Sequence, residues 1–444
     1  MSRYKPYPAY KDSGVEWIGE VPEHWAVRSV KYLYNARLGK MVQPLPKSEK
    51  DVLVPYHRAQ TVQWECIKYD QVESMWANPT EIDTYSLEDG DLLICEGGDV
   101  CRAAMFNRVE RETVIFQNSI HRVRPVGGNH PEWLLRLMQH VRSSGWIDVL
   151  CNKNTIVHFT SDKLASLECP NPPCSEQSEI LSALGRETAH IDALIAKKTR
   201  FVELLKEKRQ ALISHAVTKG LNPNVKMKDS GVEWIGEVPE HWEVKRLKHL
   251  LEEPLQYGAN ESGDASIEDG PRYIRITDLN EAGELRHDSV KRLSPFVAQP
   301  YMLRDGDVLF ARSGATVGKT YCYRSEHGPA CFAGYLIRAR LNRRKINPDF
   351  LILAVQSHYY WAYILKTAIQ ATIENVSAER YGDFPVAMPN CKEQNTIIAV
   401  LSSILARIDT LTEKTQRSIN LLKERRSAFI TAAVTGQIDL RESI

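Results

Sequence analysis

Several things are scarce in this sequence, and each shortage excludes something. Its nine cysteines among 444 residues form no CxxC pair; the nearest approaches are Cys95 with Cys101 and Cys169 with Cys174. An odd, scattered set of this kind argues against a disulfide framework and a zinc knuckle, and for reduced thiols in the cytosol. No uninterrupted apolar run nears the ~20 residues needed to span a bilayer. The N-terminal stretch MSRYKPYPAYKDSG lacks the apolar centre of a signal peptide, so a cytoplasmic location is expected. Bulk charge is missing too: 57 Lys+Arg stand against 56 Asp+Glu. The small positive excess sits in residues 176–226 and 391–444, while 1–175 and 227–390 are nearly balanced. Any affinity for a polyanion must therefore come from local clusters.

What is present is a repetition. DSGVEWIGEVPEHW occupies residues 12–25 and again 229–242, letter for letter. With the register set by that pair, matches run to the C-terminus. LEDGDLL (87–93) lies over LRDGDVL (303–309) with one residue of slip, and HPEWLLRLM (130–138) over NPDFLILAV (347–355). CSEQSEI (174–180) matches CKEQNTI (391–397), and LLKEKR (204–209) matches LLKERR (421–426). Only two copies exist, so this is a duplicated unit and not a solenoid.

Each copy begins with mixed texture. Short β-rich runs such as GDVLF (306–310) and RYIRI (272–276) are bounded by Gly, Asp and Pro, and Pro-opened helical stretches follow at 131–141 and 348–368. From Glu176 to Thr218 and from Glu393 to Thr435 there is no Pro, and the only Gly is Gly185. Leu184, Ile191, Leu205 and Leu212 form a row at seven-residue spacing, repeated as Leu401, Ile408, Leu422 and Phe429. Ile180, Leu194 and Phe201, with Ile397, Ile404 and Leu411, are expected to supply the neighbouring seam. The pattern predicts two coiled-coil helices, each reaching roughly 65 Å and packed antiparallel on its twin. The fold class expected is α+β: two globular heads, 1–172 and 221–389, a central helix at 173–220, and a distal helix with tail at 390–444.

The aromatics and glycines of GVEWIGEVPEHW are those of a stapled loop. They would pin the start of each head against the preceding helix, or offer a stacking platform for bases. The order KGLNPNVKMKDSGVEWIGEVPEHW, the LxxGD(V/L)L hairpin, the Pro-x-x-x-Glu-Gln entry to a long helix, and the LLKE(K/R)R…VT end resemble the DNA specificity subunit of type I restriction-modification systems. The likeness covers nearly the whole chain. It implies two target recognition domains related by a pseudo-two-fold axis, each reading one half of a split DNA sequence. Two modification subunits would dock on the helices, and restriction (motor-nuclease) subunits would complete the assembly. S-adenosylmethionine, Mg and ATP would be bound by those partners, with no cofactor or metal on this chain.

Three stretches imitate catalytic motifs. NPPC (171–174) is similar to the adenine-methyltransferase motif but lacks its aromatic, and reads better as a Pro-rich stop before a helix. SGATVGKT (313–320) nearly completes a P-loop, yet the strand-like TYCYR follows where a helix N-terminus is needed to hold phosphate. The DGD triplets at 89–91 and 305–307 read as turns before strands.

Residues suited to base or phosphate contact are Arg, Lys, Asn, Gln, Ser and Thr on loops. In the first head these are His57, Arg58, Gln60, Arg102, Lys153, Asn154 and Thr155; in the second, Arg275, Thr277, Arg312, Ser313, Lys319, Gln370 and Thr372. Glu96 takes the slot of Arg312, so the two loops are not expected to do the same job. The chain is expected to be non-catalytic. A fused reader and methyltransferase, or a coiled-coil scaffold that reads no sequence, are the competing readings.

Overall fold

The computed structural model describes residues 4–107, 113–151, 158–264, 269–280, 283, 285–286, 290–369 and 375–441. The chain divides into two compact units, one of residues 1–198 and 417–444, the other of 199–416. The units therefore do not coincide with the heads. Each contains one head together with part of both long helices.

In the first unit a four-stranded antiparallel sheet is the centre of the head. Its strands are β1 (Tyr34–Leu38), β2 (Leu92–Cys95), β3 (Ala103–Met105) and β4 (Ile120–Pro125), in the order β3-β2-β4-β1. Every residue of β2 is buried, as expected of a strand flanked on both sides and covered on both faces. The second unit repeats the sheet with β5 (Gln256–Tyr257), β6 (Val308–Ala311), β7 (Thr320–Cys322) and β8 (Leu336–Ala339), in the matching order β7-β6-β8-β5. A parallel strand pairing lies beside each sheet, Tyr56 and His57 against Ile115 and Phe116 in one head, Arg272–Ile274 against Ala330–Phe332 in the other. The DGD triplets enter the strands as turns. Asp91 accepts from the Glu88 amide at 2.7 Å and Asp307 from the Arg304 amide at 2.8 Å. Each then meets an arginine of the neighbouring strand, Arg124 at 2.6 Å and Arg340 at 2.8 Å. These carboxylates are turn and core anchors. Among the described residues no group of three or more His, Cys, Asp or Glu is placed to hold a metal ion.

The duplicated fourteen residues form the same loop twice. Ser13 and Ser230 amides donate to the carbonyls of Gly19 and Gly236, both at 3.0 Å, and the glycines adopt positive φ. Val21, Trp25, Val238 and Trp242 are fully buried. In the second unit the loop packs on Ile213, Ala216 and Val217 of the preceding helix. In the first, Ile430, Ala433 and Val434 take that place. The tail completes the closure: the Asp439 amide donates to Lys5 carbonyl oxygen and Tyr10 Oη to that of Gly436.

The loop also grips a helix entry. Trp25 Nε1 donates to Glu176 at 3.1 Å, and His24 Nε2 lies 2.8 Å from the same carboxylate; His241 meets Glu393 at 2.9 Å. The next residue of each helix, Gln177 or Gln394, is fully buried. Gln177 accepts from the His130 amide and donates to Asn129, Asn171 and the Pro172 carbonyl. Gln394 accepts from the Asn347 amide and donates to the carbonyls of Lys345 and Pro389. The Glu-Gln pair is thus a socket for the loop on one side and for the start of a head helix on the other. NPPC ends in this socket as the approach to a helix.

The long helices are α1 (Cys174–Lys219) and α2 (Cys391–Val434). They run antiparallel within each unit. In the first, Glu176 meets Arg441 of the tail and Asp192 meets Arg426; in the second, Arg209 meets Asp409 while Gly220 lies beside Glu393. Of the heptad row, Leu184, Ile191, Leu205, Leu401 and Ile408 are buried, and Leu212, Leu422 and Phe429 are half-buried.

The expected second seam holds at Ile180 and Ile397, which are fully buried, and fails farther along. Phe201, Ile404 and Leu411 are exposed at 44%, 36% and 46%. The inward row is Thr188, Ile195, Val202, Arg209 and Ala216, repeated as Leu405, Thr412, Ile419, Arg426 and Ala433, four residues beyond the first row rather than three. Threonine and arginine in that row disguise it. Thr188 is buried with its hydroxyl donated to the Leu184 carbonyl, and the arginines reach across to carboxylates. One 18-residue window in α2 reaches a mean hydropathy of 1.2, enough by length and composition for a membrane span. Ile397, Leu401, Leu405 and Ile408 of that helix are buried within the second unit, three of them in its main core, while 22% of the window as a whole is buried.

Candidate nucleic-acid interface

Three loops of the first head converge at the end of β2. The Arg102 guanidinium donates to the Ala59 carbonyl at 2.7 Å, and the Ala59 amide to Ser119 Oγ at 3.1 Å. The Glu96 amide donates to the Ser119 carbonyl at 2.9 Å. Segments 57–61, 96–102 and 117–119 therefore form one edge, and the expected contacts Arg58, Gln60 and Arg102 lie along it. Gly39, at the end of β1, makes this closeness possible: a Cβ there would collide with the carbonyl oxygens of Phe116 and Gln117.

Not all of those side chains are available to a ligand. His57 is fully buried, with Nδ1 3.0 Å from Thr61 Oγ1 and its ring edge-on to Tyr69 and Phe106. Burial pushes its pKa down to about 4, so it is a neutral core side chain and not the surface contact expected. Arg58 is paired to Glu73 at 2.6 Å. Arg102 divides its fork between Ala59 and Asp99. Gln60 is exposed. Lys153, Asn154 and Thr155 lie outside the described residues.

The second head builds the equivalent edge. The Arg312 amide donates to the Tyr335 carbonyl at 3.1 Å, matching Glu96 and Ser119, and the Val376 amide donates to the Arg312 carbonyl at 2.9 Å, matching Phe159 and Glu96 at 2.8 Å. Gly258 repeats Gly39, its missing Cβ leaving room for the carbonyl oxygens of Phe332 and Ala333. The Arg312 guanidinium lies 4.9 Å from the centroid of the Tyr257 ring, and Nε approaches Asn375 Oδ1 at 3.4 Å. Ser313 bridges to Asn375 through the backbone. Tyr335 is exposed beside them.

Arg275 is engaged differently. Nε and Nη2 grip both oxygens of Asp278 at 3.1 and 2.6 Å, which raises its pKa and commits the fork internally. Thr277 is exposed next to it. Lys319 lines a cleft with Arg209, Asp409, Gln356 and Trp361. Residues 313–319 form a turn into strand β7, with Gly318 donating back to Ala311, so this stretch is a hairpin and not a phosphate loop. Gln370 and Thr372 lie outside the described residues. Tyr257 and Asn375 were not foreseen. They lie 55 and 63 positions from Arg312, and no local pattern marks them.

Two unlike sets of polar side chains are thus mounted on one repeated backbone edge. Comparison with known proteins shows what the chain resembles. Residues 239–421 match the family described as type I restriction modification DNA specificity domain. The EcoBI specificity subunit of Escherichia coli is 24% identical over 293 residues, 64% of this chain and 61% of that protein, so the match spans less than two thirds of its length. The putative MjaX specificity subunit of Methanocaldococcus jannaschii is 22% identical over 441 residues, 96% of each chain. A solved chain from work on assembly and conformational transition of the type I R-M system has the same fold, with a TM-score of 0.71 and 15% identity over 96% of this chain and 99% of that one. With its duplicated heads and paired helices, the chain is similar to the DNA specificity subunits of type I restriction-modification systems, and its residues 239–421 match the domain described for them.

Proposed function

We propose that this chain reads a split DNA sequence, one half with each head, and directs partner subunits to it without catalysing a reaction. The observation that carries the reading is the contrast at the end of the central strand. The backbone is held by the same hydrogen bonds in both heads, while the side chains it presents are Glu96 in one and Arg312 in the other. A frame kept alike suits docking of like partners, and unlike readers suit a site that is not palindromic. The expected partners are double-stranded DNA, two modification subunits and restriction subunits, acting in the cytoplasm in defence against phage DNA. S-adenosylmethionine, Mg and ATP belong to those partners in this reading. The near-zero net charge fits an affinity completed by them, with weak and salt-sensitive DNA binding by the isolated chain.

Mapping modified adenines in a host with and without this gene tests the proposal. Loss of modification at one bipartite motif is expected. An unchanged pattern would favour a scaffold that reads nothing. Methyl transfer by the purified chain alone would favour a fused enzyme.

A further inference from the structure

The equivalence of Glu96 and Arg312 carries more than a difference between the heads. Both end the central strand of the sheet, both donate their amide to a carbonyl of the facing loop, and both accept from the first residues after the adjacent loop. Only the charge is reversed. Most arginines near the two edges have carboxylate partners: Arg58 with Glu73, Arg102 with Asp99, Arg275 with Asp278. Arg312 has none among the described residues. Its Nε approaches Asn375, its plane rests on Tyr257, and its two terminal nitrogens make no hydrogen bond to a described residue. Tyr257 is itself fixed, its hydroxyl accepting from the Ala378 amide at 3.0 Å. The Glu96 side chain is half-buried and makes no hydrogen bond or ion pair to a described residue, although its charge acts on the buried His121.

The residue at the sheet position next to each group also differs. Tyr257 pairs with Ile337 across the sheet, and the corresponding pair in the first head is Leu38 with His121. An aromatic face attracts a guanidinium and repels a carboxylate, so the Tyr257 ring under Arg312 suits the arginine, and the position equivalent to Tyr257 in the head that carries Glu96 is the aliphatic Leu38. A carboxylate left unpaired at an edge meant for a polyanion weakens phosphate binding. Such a group is tolerable only where a donor meets it on binding, and it then rejects any base lacking that donor.

We infer that these two residues are base selectors of opposite chemistry: Arg312 reads the O6 and N7 acceptors of a guanine, and Glu96 accepts from the exocyclic amine of a cytosine. A stacked guanidinium with two parallel donors free matches the guanine major-groove edge, and a lone carboxylate matches the cytosine amine. The inference rests on the proposed reading of split DNA and goes further by assigning one base to each head.

The test uses the full chain in its host, with Arg312→Lys, Arg312→Gln and Glu96→Gln replacing the natural gene and modified adenines mapped across the genome. Arg312→Lys keeps the charge and loses the fork, and Glu96→Gln keeps the shape. Thermal unfolding of each purified variant confirms that it is folded. Arg312 variants should lower discrimination at one G·C position of one half-motif by about 10- to 100-fold and leave the other half unchanged. Glu96→Gln should do the same at one cytosine position of the opposite half. Unchanged motifs, or a uniform fall in modification with the motif intact, would overturn the assignment while leaving the reading of split DNA standing. A natural protein that yields no bipartite motif would remove both.

Discussion

Arg426 crosses from α2 to Asp192 of α1 at 2.9 Å, and its repeat equivalent Arg209 meets Asp409 at 3.2 Å. The two pairs are one contact made twice by the duplication, once inside each unit. They are not equal in energy. Asp192 and Asp409 are half exposed or more, so each pair alone contributes little. Arg426 also holds Glu65 of the first head, a residue at φ +59° that pairs in addition with the buried Arg136. Arg426→Ala should therefore destabilise the first unit by about 2 kcal/mol, and Arg209→Ala the second by under about 1 kcal/mol. Denaturant unfolding of both variants checks this, and equal losses would contradict it.

Gln177→Ala removes four hydrogen bonds around a fully buried amide and strands the His130 amide at the start of a head helix. A loss of about 2–3 kcal/mol is expected. Gln394→Ala should cost a similar amount in the second unit. Thermal melts are the measurement; a fall in stability confined to one of the two variants would show that the sockets are not equivalent.

Gly39→Ala and Gly258→Ala push a methyl group into backbone carbonyls that cannot retreat without opening the parallel pairing beside the sheet. Each should destabilise its own head by about 2 kcal/mol or more and disorder the candidate reading edge. Hydrogen exchange at residues 116–120 and 332–336 reads the local effect.

Acid should weaken the first head before the second. His57 has its pKa lowered to about 4, and His121 and His140 are shifted the same way, in each case chiefly by burial. Each stays neutral when folded and takes up a proton near pH 6.5 when unfolded, so stability falls as pH drops below 6.5 and, for His57, stops falling near pH 4. His57 alone accounts for about 3 kcal/mol across that window. Thermal unfolding followed between pH 7.5 and 5 should show the first unit losing stability first, and a His57→Asn variant should flatten the dependence.

On the proposed reading, exchanging residues 1–170 for the corresponding segment of a related specificity subunit should change one half of the modified motif and leave the other intact. Sequencing of modified sites decides it.

The repeat, the two helices and the turn before each central strand were legible because they depend on residues close in the chain. A seven-residue row of Leu and Ile declares a helix face, and Asp-Gly-Asp declares a turn. The partner row is legible only at Ile180 and Ile397, because elsewhere its burial does not follow hydropathy: Phe201 is exposed while Val202, Thr188 and Thr412 face inward. At the candidate edge the same limit applies. His57 and Arg275 have the right chemistry by residue type, yet one is enclosed by Tyr69 and Phe106 and the other is gripped by Asp278.

Sequence alone determined that two like units exist, where each helix runs and which family frame they share, since composition and period fix local structure and its repetition. Tertiary structure decided which polar groups remain free to meet a ligand. That depends on partners brought together from distant positions, as Asn375 and Tyr257 are brought to Arg312, and a charge is available for recognition only if packing has not already satisfied it.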